Sequence, residues 1–236
     1  MTRATFVALP LILALVACGT SRKEFVPSEE EKQSAVNVVD STQSLESLKA
    51  DARSNTAINQ FSQIQSNSQY LISMQQGRGS ALSSPLEALT SAASLDDCAV
   101  DSGGTVTYNN CDYGSGTING TVNVAGDTIT VDLTINAYGS SQSLDLSYKG
   151  AVTVSATGID GGLTVKYDIS GLNYSIDIDY NAIALDANGC AIGGSLIVDA
   201  DWSYAGLGSL GGAGSSSASV EVNFGPACGE MTMLGA

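Results

Sequence analysis

The sequence contains no histidine, and that absence excludes more chemistry than any other feature. Ser-His-Asp and Cys-His nucleophilic catalysis both need an imidazole, so neither is open to this chain. Zinc sites draw on His or on closely spaced cysteine pairs, and no C-x-x-C pair is present either. A G-x-S-x-G elbow and a phosphate-binding glycine loop are also missing. Basic residues are scarce, nine Lys and Arg against 24 Asp and Glu, for a formal net charge of −15. From Cys98 onward there are fourteen acids and only two cations, Lys149 and Lys166. Such a surface repels phosphate backbones, which excludes nucleic acid as a partner; otherwise the charge speaks mainly to solubility. Long apolar runs are limited to residues 6–16, too few to cross a bilayer as a finished helix.

That run carries the clearest message in the chain. Arg3 precedes it, and polar Gly19, Thr20, Ser21, Arg22, Lys23 and Glu24 follow it, the three-part layout of a secretory signal peptide. Its last residues, Leu15, Val16, Ala17 and Cys18, resemble the lipobox of bacterial lipoprotein precursors. The resemblance covers only this N-terminal stretch. It implies export by the general secretory route, transfer of a diacylglycerol to the Cys18 thiol, cleavage before Cys18, and acylation of the new amine. A thiolate is a natural nucleophile for accepting a lipid. Each buried CH₂ contributes about 0.8 kcal/mol, so several chains on one residue hold a domain firmly to a bilayer. Gly19 stands where an Asp would imply inner-membrane retention, so the resemblance implies the outer membrane. Loss of Arg3 with the leader would take the net charge from −15 to −16.

Four cysteines remain, Cys98, Cys111, Cys190 and Cys228, an even set in an exported chain and therefore two disulfides. Three pairings are open. Cys98–Cys111 with Cys190–Cys228 is favoured, because it keeps each bridge near one end of the β region.

The chain divides into a leader (1–17), the lipidated Cys18 with a polar tether (18–34), a helical segment (35–95) and a β domain (96–236). Ser28 with Glu31 three residues on forms a capping-box pattern, with Ala35, Val36 and Val39 following at helical spacing. Leu45, Leu48 and Ala52 continue that spacing. A second helix is predicted over about residues 55–76 from the stripe Ile58, Phe61, Ile64, Leu71 and Ile72. It is rich in Ser, Asn and Gln, so its stability must come from packing. Gly77 and Gly79 break it, and Pro85 opens a short third helix over residues 86–93.

After Cys98 the period changes to two. Apolar residues alternate with Thr, Ser, Asn and Asp through segments around residues 105–108, 118–124, 128–137, 144–154, 163–169, 174–180, 196–204 and 218–224. Gly126-Asp127, Asp160-Gly161 and Asn188-Gly189 read as hairpin turns, Gly171-Leu172-Asn173 as a slightly longer one, and Gly150 as a bend or bulge. Residues 206–214 read as a glycine-rich loop. The fold class is mainly β: an antiparallel meander of eight or nine strands, preceded by the helical segment. A sandwich, a barrel or a curved sheet with the helices on its apolar face each fit.

Paired carboxylates are the one catalytic option left. Asp177 with Asp179, and Asp199 with Asp201, each share a strand face. Together the four form a candidate calcium site built from oxygen ligands, and calcium is the only cofactor the sequence suggests. The simpler reading is a solvated face. Tyr138, Tyr148, Tyr167, Tyr174, Tyr180, Trp202 and Tyr204 lie near strand centres or ends. They are read as core aromatics with hydroxyls at a wet rim rather than as the girdle of a membrane barrel. The sequence thus leads to an envelope lipoprotein, not an enzyme, bound to the membrane through Cys18 and acting as a binding or structural module for an unidentified envelope partner or ligand. A carrier of apolar ligands ranks second, and a carboxylate-dependent carbohydrate-active enzyme third.

Overall fold

The alternation folds, in the computed structural model, into one antiparallel sheet of eleven strands with two helices on its apolar face. The structure describes residues 22–50, 56–75, 98–112, 116–138, 143–169, 171–204 and 214–235. The leader, Cys18, the third predicted helix, the glycines at 77 and 79, and most of the 206–214 loop lie outside these residues. In chain order the elements are β1 (Lys23–Phe25), α1 (Glu29–Gln43), a 3₁₀ turn (Ser44–Lys49), α2 (Thr56–Gln75), β2 (Ala99–Ser102), β3 (Thr105–Asp112), β4 (Gly116–Ala125), β5 (Thr128–Tyr138), β6 (Ser143–Ser155), β7 (Gly158–Ile169), β8 (Leu172–Leu185), β9 (Ala191–Tyr204), β10 (Gly214–Phe224) and β11 (Met231–Gly235).

From β2 to β11 each strand pairs with the next in sequence, as short connections dictate. The exception is β1. It pairs antiparallel with β11, Lys23 opposite Gly235 and Phe25 opposite Met233, so the first strand extends the sheet beyond the last. Of the expected tether (18–34), the described residues 22–34 are therefore not free up to α1: a sheet edge captures residues 23–25, and the helix has begun by residue 29. The capping box explains that early start. Ser28 Oγ accepts from the Glu31 amide at 3.2 Å, and the Glu31 carboxylate accepts from the Ser28 amide at 2.7 Å. Glu29, Glu30 and Glu31 add negative charge where the helix dipole favours it.

Two turns and one bend differ from the pattern reading. Asp160 and Gly161 lie inside β7, because Ser155 pairs with Gly158 and the chain reverses at residues 156–157. Gly161 marks a bulge instead, where the β7–β8 register shifts and φ is 109°. A side chain there would strike the Ala151 carbonyl. Gly150, expected at a bend or bulge, keeps an unbroken register with Val131 on one side and Leu163 on the other. A Cβ there would strike the Gly162 carbonyl on β7. Ile169 pairs with Leu172, so the β7–β8 turn is tighter than Gly171-Leu172-Asn173 suggested. The two disulfides are the favoured ones, with Cα separations of 5.5 Å for Cys98–Cys111 and 5.6 Å for Cys190–Cys228. The first ties the start of β2 to β3, and the second ties the start of β9 to the β10–β11 turn.

The core lies between the helices and the inner face of the sheet. α1 contributes Ala35, Val38 and Val39, the 3₁₀ turn Leu45 and Leu48, and α2 Ala57, Ile58, Phe61, Ile64, Leu71 and Ile72, all buried. α1 lies against β6 and β9, and α2 against β8, β9 and β10. The tyrosines differ from expectation here. Tyr148 and Tyr180 are essentially inaccessible, and their hydroxyls enter the helix layer rather than a wet rim. Tyr148 donates to Gln65 Oε1 at 2.7 Å, Tyr180 shares a hydrogen bond with Thr42 at 2.7 Å, and Gln69 Nε2 donates to the Tyr167 hydroxyl at 3.1 Å. Burial raises the pKa of Tyr148, Tyr167 and Tyr180, so each keeps its proton and its bond at physiological pH.

At one end of the sheet the helical segment also grips the turns. Gln43 Nε2 donates to the Gly189 carbonyl at 2.7 Å, and Lys49 reaches Asp127 at 2.7 Å and the Val154 carbonyl at 2.8 Å. Tyr148→Phe would leave buried Gln65 without its donor. It is expected to cost about 1–3 kcal/mol, read as a lower denaturant midpoint at unchanged slope; an unchanged midpoint would show that this contact contributes nothing.

Candidate functional site

With the inner face filled, the outer face carries the polar groups. Consecutive registers place Asp132, Lys149, Thr164, Asp177, Asp199 and Ser219 in one row across six strands, β5 to β10. The row is bonded at several points. Lys149 pairs with Asp132 at 3.2 Å, and Thr164 Oγ1 donates to Asp177 Oδ1 at 2.6 Å. Ser219 Oγ donates to Asp199, and Arg22 closes the row from beyond β10. Its guanidinium donates to Ser219 Oγ at 2.9 Å, to Asp199 Oδ1 at 3.1 Å and to Glu221 Oε2 at 2.8 Å.

The four acids singled out from the sequence are thus brought to one face but into different surroundings. Asp177 and Asp199 stand directly opposite each other, a repulsive placement for like charges. The Thr164 hydroxyl and the Arg22 guanidinium relieve it from either side. Asp201 lies one step further along β9, opposite Ser175 and Ser217, and Asp179 lies opposite Ile197. Desolvation, reinforced by the charges of Asp177 and Asp199, raises the Asp179 carboxyl above its ordinary value. Among the described residues, no group of three or more acidic, Cys or His side chains is arranged to hold a metal ion. The cation that Asp199 meets is Arg22. Nothing in the pattern of residues 19–24 pointed to that role, because a lone Arg in a polar run has no periodicity to read.

Beside this row lies a groove of about 710 Å³. Its walls are two further cross-strand rows: Thr134, Ser147, Lys166, Ser175, Asp201 and Ser217, and then Asp145, Asp168, Asn173, Ser203 and Ser215. The row between them, Leu146, Tyr167, Tyr174 and Trp202, points to the other side and leaves its backbone as the floor. On that other side Tyr174 stacks on Tyr167 at 4.8 Å and on Trp202 at 6.0 Å between ring centres. Burial pushes the Tyr174 hydroxyl up to about 12, so it stays neutral. The groove offers hydroxyls, an amide, three carboxylates and one ammonium group on a backbone floor stiffened from behind by stacked rings. Such a surface can hold a polar or cationic ligand by hydrogen bonds and charge. No protein-family model, curated protein or solved structure matches this chain.

Two substitutions probe the row. Arg22→Ala is expected to lose about 1 kcal/mol at low ionic strength, a difference that molar salt should shrink. For Asp179 the raised pKa means the fold penalises the charged form. Its contribution is therefore full below the ordinary value of 3.8 and lost as pH rises through the folded value. Asp179→Asn should raise the melting temperature at pH 7 and lose that advantage near pH 4; a variant less stable at pH 7 would contradict the assignment.

Proposed function

We propose that this chain is an outer-membrane lipoprotein whose β domain serves as a non-enzymatic binding or structural module of the cell envelope. The observation that carries the reading is the Leu15-Val16-Ala17-Cys18 lipobox at the end of its apolar run, joined to a disulfide-bonded domain suited to an oxidising compartment. The lipid on Cys18 supplies the membrane partner. The polar outer face, with its groove, supplies a surface for an envelope protein or a ligand.

The polarity of the strands supports a domain outside the bilayer rather than a barrel within it. Lipid-facing strands expose apolar residues outward and polar ones inward, whereas here Asp132, Asp145, Lys149 and Lys166 face outward and Val131, Leu133, Leu146 and Val165 are buried inside. A carrier of apolar ligands needs an open apolar cavity. The described inner face of β5 to β10 is instead largely closed, which favours the outer-face role. Hydrolysis by paired acids finds less support, since Asp199 is engaged by Arg22 and Asp177 by Thr164.

The test is the mature N-terminus. Mass spectrometry of the peptide starting at Cys18 should show acyl chains, and Cys18→Ala should move the protein from the membrane to the soluble fraction. An unmodified Cys18 peptide, or unchanged membrane association of the variant, would defeat the proposal.

A further inference from the structure

Resting on that anchor reading, we infer that the domain is not lifted from the membrane on a tether but held against the lipid surface by the end of the sheet that carries Tyr204, Gly214 and Gly171. The argument begins with Arg22. Its guanidinium is fixed by Asp199, Ser219 and Glu221, and the next three residues are fixed by pairing with β11. Only residues 19–21 lie between Arg22 and Cys18. Four Cα steps extend at most about 14 Å, so the acylated residue cannot stand further than that from Arg22. Had the tether run free to residue 34, the same arithmetic would allow roughly 55–60 Å.

The strand directions say which end faces the lipid. β1 is antiparallel to β11, which is antiparallel to β10, so β1 and β10 run the same way. Lys23 lies level with Val220 through Gly235, and Phe25 level with Val222 through Met233. Traced backward from Lys23, the chain therefore heads toward the Gly214 end of β10. Tyr204 is paired with Gly214 there and with Leu172 on β8. The turns gripped by Gln43 and Lys49, and the Cys190–Cys228 bridge, lie at the opposite end, facing away from the bilayer.

The end that faces the lipid joins interfacial aromatic side chains to the polar rung of Asp168, Asn173, Ser203 and Ser215. Tyr204 is 44% exposed, one of four large apolar side chains in that state among the described residues, and half-buried Trp202 precedes it on the same strand. Tyr and Trp are the side chains most at ease at a membrane–water boundary, because each joins an apolar body to a polar tip. The partner surface is thus the bilayer that holds the acyl chains of Cys18, met by the rim around Tyr204. Arg22 determines how closely it is met.

Trp202 is the only tryptophan in the chain and reports on this directly. Full-length precursor matured in a bacterial envelope, purified with its lipid and placed in phosphatidylethanolamine–phosphatidylglycerol vesicles with a dansyl headgroup probe should show strong energy transfer from Trp202. Insertion of a flexible Gly-Ser linker of about fifteen residues between Ser21 and Arg22 adds on the order of 20 Å of mean reach and should cut the transfer by at least half. Equal transfer with and without the linker would overturn the inference, as would weak transfer from an acylated native chain. A Cys18 peptide without acyl mass overturns the anchor reading itself, and a floated, acylated protein with weak transfer overturns only the close apposition.

Discussion

The fold depends on where two helices sit on a wide apolar sheet face, and three tyrosine hydroxyls set that position. Burial supplies most of the energy, about 1.5–3 kcal/mol for each large aliphatic or aromatic side chain removed from water. That energy is nearly indifferent to a small slide of a helix across a face of Val, Ile and Leu. Hydrogen bonds of about 1 kcal/mol are weaker but directional. Gln65 and Gln69 lie one turn apart on α2 and meet Tyr148 and Tyr167 on neighbouring strands, while Thr42 on α1 meets Tyr180. A slide of either helix would break at least one of these buried pairs, so the weaker interaction fixes the geometry that the stronger one stabilises.

The two sides of the sheet then have separate roles. The inner side holds the helices; the outer side arranges hydroxyls, carboxylates and a few cations in straight cross-strand rows. Arg22 links the two ends of the chain. It neutralises the Asp199–Glu221 side of the acidic face and leads into the strand that covers β11. One residue thereby ties the start of β1 to the outer face of β9 and β10. The very short edge strand β1 also limits the unpaired backbone that an open sheet offers to other chains.

Much of this architecture is legible in the residues. Alternation such as Ile129, Val131, Leu133 and Ile135 can only be a half-buried strand, and Ser28 with Glu31 can be satisfied as a reciprocal cap within one turn of helix. The cysteine pairing is legible too, because Cys98–Cys111 and Cys190–Cys228 each join segments that a meander brings together. The misplaced turn at Asp160-Gly161 has a physical cause. A dipeptide suited to a hairpin is equally suited to a bulge, since both need a positive φ. β1 is not legible in the sequence because three residues carry no periodicity, and the tyrosine seam is not because a residue's inward direction does not reveal what its hydroxyl will meet.

What the sequence determined by itself is local: period, caps, turn-forming residues and the sign of the charge, each settled by neighbours within a few positions along the chain. What only the tertiary structure decided is the meeting of parts far apart in sequence. Arg22 with Asp199 and Glu221, Tyr148 with Gln65, and Lys23 with Gly235 are brought together by sheet register and helix placement. Those follow from filling one shared core, a condition on the whole chain that no short stretch of it can express.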